Sequence, residues 1–246
     1  MSNKARLSTP TKSYQTRAHP KQLFTPSPPP AQTHESSLLK LELRQKLEGF
    51  LIHRREWDEV VLSRGLTYAL KIVELEAEIE ATFQHASFVQ ECEESEVTLV
   101  DGYAWKQWRK LADYRSRLDT VLVDMANVYE RFQVLNDGLE KLVQTACRIN
   151  GIKATFDIPV WTTWSLPRFC DHLLSLCVPF STSLSLYNTL KDVISSKETT
   201  RQEKQAAISY WACQPLLPEL AALKELLAVE VPDFLNPQYS TPRKAI

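Results

Sequence analysis

At 246 residues, 43 % hydrophobic and 24 % charged, the chain has room for one or two domains with a buried core. A formal net charge of −1 argues against coating nucleic acid or an anionic membrane by bulk electrostatics. Five scattered cysteines (Cys92, Cys147, Cys170, Cys177, Cys213), none in a CxxC pair, suit reduced thiols of the cytosol or nucleus rather than a disulfide framework.

The opening MSNKARLSTP lacks an apolar core, so no secretory signal is expected. Nor does any apolar run approach the ~20 residues a membrane span needs. Residues 1–34 hold Lys4, Arg6, Lys12, Arg17 and Lys21, no Asp or Glu, and a dense set of prolines. With few large apolar side chains to offset ordering entropy, this segment reads as a disordered basic tail.

Helix signals begin at HESSLLKLELRQKLEGF, where Ser36 or Ser37 can cap the first turn. They continue through REWDEVVLSRGLTYALKIVELEAEIEATF, in which Leu62, Leu66, Ala69 and Val73 form one apolar stripe and Ile72, Ile79 and Phe83 widen it. Gly49 and Gly65 weaken this pattern, and a break is expected near Gly49. The acidic stretch ECEESEVTLVDG, residues 91–102, reads as a loop.

Beyond it, Leu118, Val121, Met125, Val128, Phe132, Leu135, Leu139, Leu142, Ala146 and Ile149 recur at alternating steps of three and four, a heptad ladder. With Trp105, Trp108 and Leu111 leading in, the spacing predicts a helix over about 103–150, roughly 70 Å long, stopped by Asn150-Gly151. A helix over 55–84 covers only part of such a seam. The rest must meet the C-terminal segments or another chain, and the expectation is a surplus of apolar surface left for a partner.

After residue 151, FDIPVWTTWSLPRF reads as an extended lead into a helix over about 167–196, with Ser165 capping, Pro167 in the first turn and a kink at Pro179. SSKETTRQE is a polar connection. QAAISYWAC and PELAALKELLAV are two short helices separated by Gln214-Pro215 and closed by Pro232. The expected fold is all-α: an elongated helical bundle or coiled coil. Its expected parts are a disordered tail (1–34), a long helical hairpin (35–150), a C-terminal helical segment (151–235) and a second disordered tail (236–246).

Catalytic constellations are missing from the sequence. There is no phosphate-cradling glycine loop, and His19, His34, His53, His85 and His172 are isolated, without zinc-ligand spacing. Cys170 and His172 are two residues apart on a helix and point to different faces. The expectation is a non-enzyme without metal or cofactor. Trp161, Trp164 and Trp211 stand beside apolar runs without a basic stripe, which suits core anchors better than base stacking.

The tails carry short motifs. Thr9-Pro10-Thr11-Lys12 and Thr241-Pro242-Arg243-Lys244 fit the pattern that proline-directed kinases prefer, and Thr25-Pro26 and Ser27-Pro28 fit its minimal form. Thr9, Thr25, Ser27 and Thr241 are therefore candidate phosphorylation sites, each adding about −1.5 to −2 charge. Lys21-Gln22-Leu23-Phe24 resembles the K/R-x-L-F peptide that docks on cyclins, through Lys21, Leu23 and Phe24.

Thr163-Trp164, five residues before Phe169, and Ser209-Tyr210-Trp211-Ala212-Cys213-Gln214-Pro215 resemble the two tryptophan motifs of the cyclin-dependent kinase 2-interacting protein family. The likeness spans roughly residues 55–230 and is specific at Thr163, Trp164, Phe169, Ser209, Trp211, Gln214 and Pro215. The resemblance implies a non-enzymatic adaptor, nuclear with a cytoplasmic pool allowed. Its implied partners are AAA-type ATPases, a small helical partner subunit and cyclin-dependent kinase–cyclin pairs; composition and charge, for their part, argue against a membrane and against direct nucleic-acid binding. The implied processes are large ribosomal subunit maturation and DNA replication and checkpoint control. The residues themselves leave one alternative open, a coiled-coil tethering subunit of a cytoplasmic complex.

Overall fold

The computed structural model describes residues 34–89 and 94–234, and every regular element among them is helical. Helix α1 (His34–Asp58) passes through a π-helical segment (Glu59–Gly65) into α2 (Leu66–Val89) without interruption. Helix α3 (Glu94–Asn150) has 57 residues. After it come α4 (Ile152–Asp157), α5 (Leu166–Ser195), α6 (Arg201–Cys213) and α7 (Leu220–Glu230).

Helix α1 starts at His34, ahead of the expected caps Ser36 and Ser37, and α4 takes in Phe156 and Asp157 of the expected extended lead. Two further boundaries differ from expectation. The chain does not break at Gly49. That residue lies inside α1, where the buried Leu43, Leu47, Phe50 and Leu51 on either side of it hold the helix on the core. The acidic stretch is not a loop over 91–102 either, since α3 already starts at Glu94. Glutamate is a good helix former and is favoured at a helix start, where the macrodipole is positive.

Cross-helix contacts fix the topology. Glu78 with Gln107, Glu76 with Arg115, Arg64 with Asp124 and Glu56 with Arg131 show the α1–α2 rod running antiparallel to α3. Cys170 with Leu139, Phe180 with Phe132 and Lys191 with Asp119 set α5 antiparallel to α3 as well. Helix α6 then turns back along the first rod, through Lys204 with Glu76 and Trp211 with Val61. The result is an up-down-up-down helical bundle.

The heptad ladder lies at its centre. From Leu118 to Ala146 each ladder position is buried, Phe132 completely, and Ile149 alone is exposed. Phe132 is held between Phe50 and Phe180, with ring centroids 5.1 and 4.4 Å away. The expected surplus along this seam is thus absent: the chain covers it. The first helix is longer than the sequence pattern suggested, because Gly49 does not end it, and α5 covers a second side.

Helix α5 continues through Pro179. It is also long and apolar enough to cross a membrane by length and composition alone. Its buried residues (Phe169, Cys170, Leu173, Cys177, Phe180, Ser183, Tyr187, Leu190, Ile194) recur at steps of one, three and four along one side, the stripe of a bundle core helix.

Candidate functional site

The two tryptophan motifs hold distant helices together. Trp211 is fully buried, and its Nε1–H donates to the Val61 carbonyl at 3.0 Å. That carbonyl also accepts from the Leu66 amide, five residues on, as a π turn requires. The indole lies over Gly65, where an added Cβ would come within 2.8 Å of Trp211 Cζ2. Gly65 is therefore glycine because the ring needs its space. Tyr187 packs on the other side, centroids 4.7 Å apart, and its hydroxyl donates to the Trp211 carbonyl at 3.2 Å.

Gln214 ends α6 in a left-handed conformation (φ 44°), and its Nε2 donates to Asp58 Oδ1 at 3.1 Å. Asp58 is also ion-paired with the buried Arg54, whose guanidinium burial lowers to about 10. Ser209 is exposed and donates to the Gln205 carbonyl, and Pro215 is exposed. The Ser-x-Trp-x2-Gln-Pro motif thus joins α6 to the π turn.

The other motif joins α7 to the start of α5. The buried Glu230 carboxylate accepts from the Thr163 hydroxyl at 2.7 Å and from the Thr163 and Trp164 amides at 3.1 and 3.2 Å. Trp164 packs on Phe169 and His172, with the Arg168 guanidinium 5.2 Å from its ring centroid. Glu230 did not stand out in the sequence, and Gly65 stood out only as a weak point of a helix, because their partners are 66 or more residues away.

Cys170, Cys177 and His172 lie on α5, the helix that carries Phe169. Burial pushes the Cys170 thiol up to about 12 and Cys177 to about 11, which keeps both protonated. His172 is lowered by burial and by Arg168. Among the described residues no group of three or more His, Cys, Asp or Glu side chains is placed to hold a metal ion. Thr9, Lys21, Leu23, Phe24, Thr25, Ser27 and Thr241 lie outside the described residues.

An open apolar surface does exist, but away from the ladder. Helix α5 stops at Ser195 and α6 begins at Arg201, whereas the α2–α3 hairpin runs on past them. From Trp108 back to Glu94 this projection is about 20 Å long. Tyr103, Trp105, Trp108 and Phe83 are all exposed there, Trp105 at 62 %. A groove of about 550 Å³ opens between the hairpin and the α5–α6 connection, floored by Val73, Ala77, Phe83 and Trp108.

Cations rim this groove. Lys197 Nζ sits 5.2 Å from the Trp108 ring centroid at the rim, whereas Arg109, 5.8 Å from the Trp105 ring centroid, and Trp105 lie outside the groove. At the inner end, Glu76 binds both Arg115 (2.7 Å) and the buried Lys204 (2.6 Å). Glu80, also lining the groove, accepts weakly from Gln84 at 3.4 Å. The groove's charged lining is Arg115, Lys197, Arg201 and Lys204 against Glu76 and Glu80, a net positive balance. Residues 105–110, Trp-Lys-Gln-Trp-Arg-Lys, interleave aromatics with cations, a signal that the heptad reading passed over as lead-in.

Comparison with protein-family models finds no match, and comparison with curated proteins finds none either.

Proposed function

We propose that the chain is a non-enzymatic adaptor: a helical subunit that binds other proteins and brings them together. The observation that carries this reading is the aromatic groove at the hairpin tip. Phe83 and Trp108 line one charge-rimmed groove, and exposed apolar patches of that kind mark protein-binding surfaces. The bundle behind it is closed and rigid, as a platform for such a surface should be. The resemblance at Thr163, Trp164, Trp211 and Gln214 supports a narrower form of the reading: a nuclear subunit of an AAA-type ATPase assembly acting in large ribosomal subunit maturation and in DNA replication and checkpoint control. Kinase-regulated tails and a small helical partner subunit belong to the same reading.

Affinity purification of the full chain from its native cells tests it. The expected result is recovery of AAA-type ATPases, with a cyclin-dependent kinase as a second class of partner, and a nuclear pool of the tagged protein. If neither class is recovered, the adaptor assignment falls.

A further inference from the structure

We infer that the hairpin-tip groove receives an acidic amphipathic α-helix of a partner protein, an inference that rests on the adaptor reading. Three observations select this occupant. The first is geometric. The groove lies between antiparallel helices exactly where the third and fourth helices of the bundle stop, so a partner helix there continues the same helix-on-helix packing. Two of its walls are the helices α2 and α3, and no strand lines it among the described residues, so there is no sheet edge for an extended peptide to join.

The second observation is the apolar floor. Val73, Ala77, Phe83 and Trp108 offer places for side chains spaced at i, i+3, i+4 and i+7. Phe83 and Trp108 are 46 % and 38 % exposed, so each has much surface to bury on docking.

The third is charge. Lys197 and Arg201 make no ion pair with a carboxylate among the described residues, and they flank the floor on the side of the α5–α6 connection. Carboxylates on the flanks of an incoming helix would pair with them, while Glu80 on the opposite rim disfavours a uniformly acidic ligand and favours a two-faced one. The chain's own terminal segments are poor occupants. Residues 1–33 and 235–246 contain cations and no Asp or Glu, so they share the sign of the groove.

The test is a selection from a display library of helix-biased 20-residue peptides on the full-length chain, followed by titration of labelled synthetic peptides. The expected winners carry Leu or Phe at helical spacing and Asp or Glu on the flanks. Their affinity should fall by about tenfold or more for Trp108→Ala and for the surface pair Lys197→Glu/Arg201→Glu. It should also weaken as salt rises from about 50 to 300 mM. All these side chains are partly or fully solvent-exposed, so the variants should keep the parent's circular dichroism and melting temperature.

Selection of basic or uncharged peptides, or binding untouched by both sets of substitutions, overturns the inference. So does tighter occupation of the groove by single-stranded RNA or by a phosphorylated peptide covering residues 1–33. Its failure is separable from that of the adaptor reading. If the Trp108→Ala chain recovers the same ATPases from cells as the unchanged chain, the groove is wrong and the adaptor stands. If the unchanged chain recovers none, the adaptor itself fails.

Discussion

Gly65 shows how much one missing side chain can decide. Its Cα faces the Trp211 ring so closely that a methyl group would overlap Cζ2, and the π turn beside it leaves the Val61 carbonyl able to accept the indole N–H. Gly65→Ala should therefore destabilise the chain by about 1–3 kcal/mol through overpacking. Gly102→Ala meets nothing within 4 Å on an exposed helix and should instead stabilise by about 0.5–1 kcal/mol. Urea denaturation of the two variants beside the parent measures both effects. Equal effects would mean that the ring does not occupy that space.

The buried thiols give a second residue-level expectation. The folded state raises Cys170 and Cys177 from 9.0 to about 12 and about 11 by burial, so it holds their protons more tightly than the unfolded chain does. Their contribution is complete below pH 9.0 and is lost as pH rises toward 11–12. Arg54, lowered to about 10, acts in the opposite sense above that value, so the thiols are best read just below it. Melting temperature should fall over that interval in the parent and fall less in Cys170→Ala/Cys177→Ala. An identical slope in both would contradict the burial of the thiols.

Among the elements, the contact between α7 and the start of α5 depends on a single carboxylate. Glu230→Ala removes the acceptor for two backbone amides and a hydroxyl, leaving those amides unpaired in a partly buried place. A loss of about 2–3 kcal/mol is expected, with Glu230→Gln recovering part of it because the amide oxygen still accepts. Chemical denaturation checks both. A neutral Glu230→Ala would show that α7 is not held through this group.

The same contact shows where sequence reasoning stops. The ladder from Leu118 to Ala146 was legible because a three–four spacing is written locally along one helix. So was the stop at Gly151, whose φ of 82° suits glycine. Thr163-Trp164 and Trp211 stood out as large aromatics beside helix ends, but their partners Glu230, Gly65 and Tyr187 are set by tertiary pairing, which no local period encodes. Gly49 misled because its cost in an isolated helix is outweighed by the burial of Leu43, Leu47, Phe50 and Leu51 around it. The tip groove was invisible for a related reason. Whether Trp105 and Trp108 are covered depends on where α5 ends relative to α3, not on their own spacing.

For the whole molecule, this arrangement moves the candidate interaction surface. The heptad ladder is buried in the chain's own bundle, and the surface open to a partner lies beside the hairpin that outruns α5 and α6. Hydrogen exchange of the full chain alone, followed by mass spectrometry at dilute and concentrated protein, tests that division directly. The account predicts strong protection of residues 118–146 at both concentrations, with much weaker protection over 102–108. Rapid exchange of 118–146 in dilute protein, with protection appearing only as concentration rises, would contradict it and return the ladder to an interface between chains.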